Sequence, residues 1–363
     1  METQIGGISK LALTNFRCYQ SLRLSDLSQN IIVYGQNGAG KTSILEAISM
    51  LSASKGLRGA DYSEVKCLDT LSDQWGVAAL LDMRNDQVSI GVGNLPGTAL
   101  DQKAAKINGN SANIGDIERY LWLLWLTPQI DKIFVEPLSI KRKFFDHLVN
   151  GLEPEYRTKR LMYKKLINER MKALQSSICD KTWLDAIEYK IAEASFKVTA
   201  SRSSYCKAFN ETSVERHFPK ITLFVEEDIP TENYQEVLLK KLKESRNKDR
   251  ITGITSVGSH RNNWSVNFKN KPLRAESCST GEQKIMLISV ILTTSRIYID
   301  RRIGVPILLF DDTTAHFDSE NFQLFFEEIS SMGIQTWSTS VNKPSALTGF
   351  QSIFVRSGVC IQE

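Results

Sequence analysis

The chain opens on alternation. In ISKLALTNFRCYQSLRL, residues 8–24, apolar and polar positions exchange almost step by step, which predicts two strands joined by a turn. The pattern then changes. IIVYG, 31–35, is a short unbroken run of β-branched and aromatic residues, as expected of a strand buried on both faces of a parallel sheet. After it, Ile44, Leu45, Ile48, Met50 and Leu51 recur at helical spacing, which predicts a helix to about Ser54. WGVAALLDMRNDQVSIGVG predicts a hairpin turning at Asn85-Asp86, AKINGNSAN a second tight turn, and IGDIERYLWLLWLTPQ an apolar strand at its end.

From Ser139 to about Asn210 the periodicity is helical, followed by a short strand, ITLFVEE, and a basic helix through Lys248. The last third returns to the style of the first. A long apolar helix follows STGEQK, GVPILLFDD is a buried strand ending in two carboxylates, SENFQLFFEEISSM is an amphipathic helix, and IQTWSTS is a further strand.

Between the IIVYG strand and its helix lies a specific piece of chemistry. Gly35, Gln36, Asn37, Gly38, Ala39, Gly40, Lys41 and Thr42 spell G-x-x-x-x-G-K-T, with Ser43 next along. Such a loop wraps a β-phosphate in backbone N–H groups, brings Lys41 to the β and γ oxygens, and offers the Thr42 hydroxyl to Mg²⁺. The strand before it and the helix after it supply the context that the motif needs, with the helix N-terminus aimed at the phosphates.

A phosphate loop needs a carboxylate on a neighbouring strand for the metal, and ILLFDD provides one. Asp311 is the expected metal-side carboxylate, and Asp312 is placed to orient or activate an attacking water. The expected cofactors are therefore a nucleoside triphosphate and Mg²⁺. The chain reads as a nucleotide-handling lobe in two parts, 1–138 and 251–363, around a mainly helical insert at 139–250.

Composition narrows the picture further. The 363 residues are 42% hydrophobic and 24% charged, an ordinary globular balance. No apolar run reaches the ~18 to 20 residues that span a bilayer, and METQIGGISKLALTNF does not read as a secretory leader. The six cysteines are scattered with no C-x-x-C pair, which argues against structural zinc and for a reducing cytoplasm. A net charge of +4 announces nothing, but SIKRKFF, EYRTKRLMYKK, LKKLKESRNKDR and FKNKPLR are local basic clusters that could face nucleic acid.

CSTGEQK discriminates best. Ser279, Thr280, Gly281, Glu282 and Gln283 stand ahead of a long apolar helix, so they offer a hydroxyl, open N–H groups and a helix dipole to an anion. The stretch resembles the signature of ABC-type ATPases, which precedes the carboxylate strand by a similar distance. That resemblance implies a shared site, in which Ser279 and Gly281 of one copy close over the γ-phosphate held by the other, making ATP the bond of a homodimer. It also places Gln129, in TPQID, where a Q-loop senses Mg²⁺ and the γ-phosphate, and Asp318, in AHFDSEN, in a D-loop along the dimer interface.

LTNFRCYQSLRL ahead of a phosphate loop resembles the opening of the RecF/SMC branch of these ATPases, which acts on DNA, and Arg17 would lie close to the nucleotide. LSIKRKFFDHLVNGLEPEYRTKRLMYKKLINER and GSHRNNW are similar to stretches of the RecF family, and the likeness runs in order along nearly the whole chain. It implies an α/β ABC-type ATPase head with an inserted, mainly helical second lobe. It further implies a weak, DNA-stimulated ATPase that dimerises with ATP on duplex or gapped DNA and helps load recombinase with RecO/RecR-type mediators. Arg142, Arg157, Lys159 and Arg160 are candidates for phosphate contacts on DNA.

Several positions depart from the family pattern. Thr280 and Glu282 are unusual in the signature, Ser259 and Asn262-Asn263 are unusual in GSHRNN, and WSTS lacks a threonine run, so Thr339 receives no switch role. Two rivals remain to be weighed. A GTPase would need an acidic residue where VNKPS has Ser345, so it is rejected. The alternative is an ATPase subunit of an ABC transporter, which usually carries Glu in the place of Asp312 and lacks the NFR opening, or another non-DNA ABC switch protein.

Overall fold

Strands β1 (Gly6–Phe16) and β2 (Tyr19–Leu24) pair antiparallel across a turn at Arg17-Cys18, as the alternation predicts. Strands β4 (Gly76–Met83), β5 (Gln87–Gly93), β6 (Ala104–Ile107) and β7 (Asn110–Ala112) extend this into one sheet, ordered β2-β1-β4-β5-β6-β7. Asn108 and Gly109 turn the chain between β6 and β7 with φ of 49° and 80°, the double left-handed step of a tight hairpin. This computed structural model describes residues 6–70, 72–84, 86–94, 102–176, 180–227, 229–230, 232–269, 273–301, 304–312, 319–343, 349–356 and 358–363. Asn85 of the expected β4–β5 turn, Asp318 and Ser345 lie outside them.

The second sheet carries the chemistry. Its order is β14-β13-β3-β12-β11-β8, from β3 (Asn30–Tyr34), β8 (Leu121–Leu126), β11 (Val305–Phe310), β12 (Gln335–Ser340), β13 (Gln351–Arg356) and β14 (Val359–Gln362). All its pairings are parallel except that of β13 with β14. Every residue of β11 and β12 is buried, which is why VPILLF and QTWSTS sit at the middle of the sheet. The two sheets share one core, in which Ile8, Leu11 and Leu13 join Ile31, Val33, Trp337 and the helix α1 (Lys41–Ser49) residues Ile44, Leu45 and Ile48. Buried Gln335 ties them: its Oε1 accepts from Ile8 N–H at 2.8 Å, and its amide donates to Ile8 and Ser28 carbonyls at 2.9 Å each.

Chain contacts divide the molecule into two units, residues 1–132 with 298–363, and residues 133–297. The second unit holds α2 (Leu138–Leu152), α3 (Tyr156–Gln175), α4 (Lys181–Thr212), α5 (Tyr234–Thr252) and the antiparallel pair β9 (Ile221–Glu226) and β10 (Asn263–Phe268). Helix α6 (Thr280–Arg301) leads from this unit back to the first, which also contains α7 (Ser319–Ser331).

The insert therefore runs well past the expected boundary at 250. β10 is the reason. It pairs with β9, and its Trp264 stacks on Phe144 and Phe145 of α2 and donates its indole N–H to the Lys141 carbonyl at 2.7 Å. Those contacts hold 251–279 and most of α6 in the helical unit rather than in the nucleotide lobe.

Candidate nucleotide-binding site

Parallel strands end on the same side of a sheet, and a crevice forms at that edge. The register aligns Tyr34 with Ser340, and Phe310 with both Ser338 and Leu126. The segments after β3, β12, β11 and β8 therefore converge. They line a cavity of about 450 Å³ with Asn37, Gly38, Gly40, Lys41, Thr42, Ser43, Pro128, Asp311, Asp312, Thr339, Ser340 and Val341, joined by Cys18 and Arg58. That volume lies within the ~300–1,000 Å³ typical of small-molecule sites.

The loop's glycines follow from close approach. Gly35 has φ 148°, and a Cβ there would meet the Val355 carbonyl oxygen of β13 at 2.2 Å. Gly40 has φ 117°, and a Cβ would meet the Tyr19 hydroxyl at 2.7 Å and the Cys18 sulfur at 2.8 Å. Gly35, Gln36 and Ala39 shape the loop rather than line the cavity. Gly35 N–H donates to Ser340 O at 3.3 Å, Ala39 N–H to Gln36 O at 3.2 Å, and Gly358 N–H to Ala39 O at 3.1 Å.

Lys41 folds back on the loop, its Nζ donating to Gly35 O at 2.6 Å and Gln36 O at 2.9 Å. Burial pushes its pKa below the ordinary lysine value, against the pull of Asp311 and Asp312. Thr42 Oγ1 donates to Asp311 Oδ1 at 2.8 Å. A hydroxyl and a carboxylate side by side are hard oxygen donors, the set Mg²⁺ takes, so these residues fit the metal that the loop implies. Asp312 follows with φ 58°, a left-handed conformation that non-glycine residues rarely adopt.

Arg17, expected close to the nucleotide, does not itself line the cavity, but its neighbour Cys18 does. Its guanidinium grips Glu46 of α1, Nε to Oε2 at 2.9 Å and Nη2 to Oε1 at 2.5 Å, and donates to Glu64 O at 2.7 Å. Glu46 is buried, so Arg17 braces the helix behind the phosphate loop while Arg58, 3.5 Å from the same carboxylate, lines the cavity. Gln129 is exposed, one residue past cavity-lining Pro128.

The signature residues lie in the second unit. Ser279 is the N-cap of α6: its N–H and hydroxyl donate to Glu282 Oε2 at 3.0 and 2.9 Å, and Glu282 N–H returns to Ser279 Oγ at 3.3 Å. Glu282, unusual in the signature, thus completes a capping box. Gly281 is exposed, and a Cβ there would meet nothing within 4 Å. Within the basic run, Arg160 Nη1 pairs with Asp146 Oδ2 at 3.1 Å, Lys159 pairs with Glu153, and half-buried Arg142 reaches the Arg261 carbonyl at 3.5 Å.

Six cavity residues lie outside the site read from the sequence: Cys18, Arg58, Pro128, Thr339, Ser340 and Val341. Arg58 sits between two glycines in GLRGA, a signal only in hindsight. Thr339 ends the strand next to the carboxylate strand, which the parallel register would have flagged. Burial raises the Cys18 thiol pKa, so it sits in the cavity as a neutral group.

Comparison with known proteins follows the same lines. The RecF/RecN/SMC N-terminal domain profile matches residues 7–355. The chain is 33% identical over 349 residues to the DNA replication and repair protein RecF of Mesorhizobium japonicum, covering 92% of this chain and 91% of that one. It is 32% identical to RecF of Rickettsia canadensis, covering 93% and 95%. Among solved structures, the recombination mediator protein RecF with ATP superposes at a TM-score of 0.86 and 21% identity, covering 99% of this chain and 98% of that one. At that identity the likeness speaks for the fold, an ABC-type ATPase head.

Proposed function

The chain belongs to the RecF family of RecF/RecN/SMC N-terminal domain proteins, and from that premise we propose that its crevice binds and slowly hydrolyses ATP to control closure of two copies on DNA. The observation that carries this reading is the Thr42–Asp311 contact at 2.8 Å beneath the phosphate loop, with Asp312 beside it. Lys41 exchanges its two carbonyl partners for phosphate oxygens. Thr42 and Asp311 would hold Mg²⁺, which would neutralise charge on the phosphates. Asp312 orients the attacking water, and Gln129 senses the metal and the γ-phosphate.

The signature supports a shared site. Gly281 stands unobstructed in the first turn of α6, where a helix dipole favours an anion. The Ser279 N–H and hydroxyl that Glu282 now holds would have to turn to the phosphate. In the proposed dimer, Ser279 and Gly281 of one copy cover the γ-phosphate bound by the other. Affinity for duplex or gapped DNA then comes from lysines and arginines on phosphates, sequence-independent and salt-sensitive. A role with RecO/RecR-type mediators in loading recombinase, in the cytoplasm, is part of the same proposal. The solved RecF with ATP is described as part of a RecFOR pathway. No helix among the described residues is long and apolar enough to cross a membrane, and the family sets aside the transporter alternative.

The test is duplex DNA binding by fluorescence anisotropy with ATP, with ADP and without nucleotide, on the wild type, Lys41→Met and Asp312→Asn. Binding should need ATP, vanish in Lys41→Met and outlast wild type in Asp312→Asn. Binding indifferent to nucleotide, or none at low salt, would sink the proposal.

A further inference from the structure

We propose that Thr339 is a positioning residue that locks the water-side carboxylate to the metal-side one; the inference rests on the assignment of Asp312 to the attacking water. The argument starts from one hydroxyl. A threonine Oγ1 has a single proton and two lone pairs. Here it donates to Asp311 Oδ1 at 3.0 Å and accepts the Asp312 backbone N–H at 2.7 Å. A carboxylate only accepts and an amide N–H only donates, so the direction of both bonds is fixed.

The consequence falls on Asp312. Its φ of 58° is a left-handed conformation, uncommon for a residue with a side chain though best tolerated by aspartate and asparagine, and a bond from its own N–H helps to hold it. That bond, to Thr339, sets where the Asp312 side chain leaves the backbone. Asp311 Oδ1 meanwhile receives two hydroxyls, from Thr42 on the phosphate loop and Thr339 on β12. Any shift of that carboxylate when the metal and nucleotide bind is transmitted through Thr339 to the Asp312 amide. The anchor is rigid, because Thr339 is 2% exposed in a strand whose residues are all buried.

A valine fills the same space without either bond, and a serine keeps both. Single-turnover ATP hydrolysis, nucleotide binding by a fluorescent ATP analogue, and thermal melting would be measured for wild type, Thr339→Val, Thr339→Ser and Asp312→Asn. In Thr339→Val the hydrolytic rate should fall about 10- to 100-fold, the loss expected when a catalytic group is displaced by about an ångström. Nucleotide affinity should stay within about threefold, and Thr339→Ser should recover the rate to within about threefold. Loss of affinity in step with rate, or no rescue by serine, would reduce Thr339 to packing and overturn the inference. If Asp312→Asn stops hydrolysis and Thr339→Val does not, only the positioning role fails. If Asp312→Asn turns over normally, the assignment of Asp312 fails and takes the inference with it.

Discussion

Lys41 and Arg170 are both buried cations, 8% and 0% exposed, yet the molecule treats them in opposite ways. Arg170, on α3, is saturated. Its Nε meets Glu188 at 2.9 Å, its Nη1 meets Asp249 at 2.7 Å and Thr255 at 3.1 Å, and its Nη2 donates to Leu242 O at 2.8 Å. Lys41 donates to two loop carbonyls and stands in an open cavity, where burial lowers its pKa. The first charge is used up in fixing the helical unit, by tying α3, α4 and α5 together. The second is held at a cost and left for a ligand. A buried charge marks a functional site when its partners are replaceable, and marks architecture when they are carboxylates packed around it.

The strongest way to break this contrast is to remove the saturated cation. Arg170→Met leaves Glu188 and Asp249 buried with their main partner gone, and should cost about 3–5 kcal/mol in denaturant unfolding. Arg246, which also pairs with Glu188 at 2.6 Å, sets the low end of that range. A loss near zero would show that Arg170 is as dispensable as an exposed ion pair.

The next effect is on pH. His260 sits between the Tyr163 hydroxyl, 2.7 Å from Nδ1, and the Thr255 carbonyl, 2.9 Å from Nε2. That carbonyl can only accept, so Nε2 carries the proton and Tyr163 donates to Nδ1. Burial lowers the pKa to about 4, and nearby Arg261, Arg142 and Arg202 work the same way, opposed by the Thr255 carbonyl. The unfolded chain takes up this proton near the ordinary value of about 6.5, and the folded one only near 4. Stability is therefore full above about pH 6.5 and lost as pH falls towards 4, by up to about 3 kcal/mol. Urea midpoints across that range should fall more steeply for wild type than for His260→Gln, and parallel slopes would refute the assignment.

Removing the available cation should act on the ligand and spare the fold. Lys41→Met should weaken ATP binding roughly 10- to 100-fold, the worth of a charge-assisted hydrogen bond, with an unfolding midpoint close to wild type. A large loss of stability instead would place Lys41 with Arg170, among the structural charges.

The same contrast explains what could be read from the sequence. The phosphate loop, Asp311-Asp312 and the strands behind them were legible because their chemistry demands fixed residues at fixed spacing in a local strand–loop–helix. Contacts made across the fold were not. That Arg17 would grip Glu46 while Arg58 lines the cavity depends on how β2 and the 50–66 segment fold back on α1. The reach of the helical unit to 297 was hidden because NWSVNF is too short to name as a strand by itself, and only pairing with β9 makes it β10. The C-terminal hairpin β13–β14 carried no periodicity strong enough to name, yet Val355 is what forces glycine at 35.

The smallest expected effect on the chain itself makes the sharpest test of the shared site. Ser279→Ala is ambiguous, because removing the N-cap of α6 costs about 1 kcal/mol whatever else it does. Gly281→Ala avoids this. A Cβ at 281 meets nothing within 4 Å, and alanine in a helical turn is favoured over glycine by about 0.5–1 kcal/mol, so the isolated chain should be unharmed or slightly steadier. In the proposed dimer that methyl group would intrude where the γ-phosphate of the other copy approaches the helix N-terminus. Sedimentation with ATP should then show dimer in the wild type and monomer in Gly281→Ala, with ATP binding by the monomer intact. If Gly281→Ala dimerises as readily as wild type, this face of α6 does not meet the nucleotide, and the signature is a helix cap and nothing more.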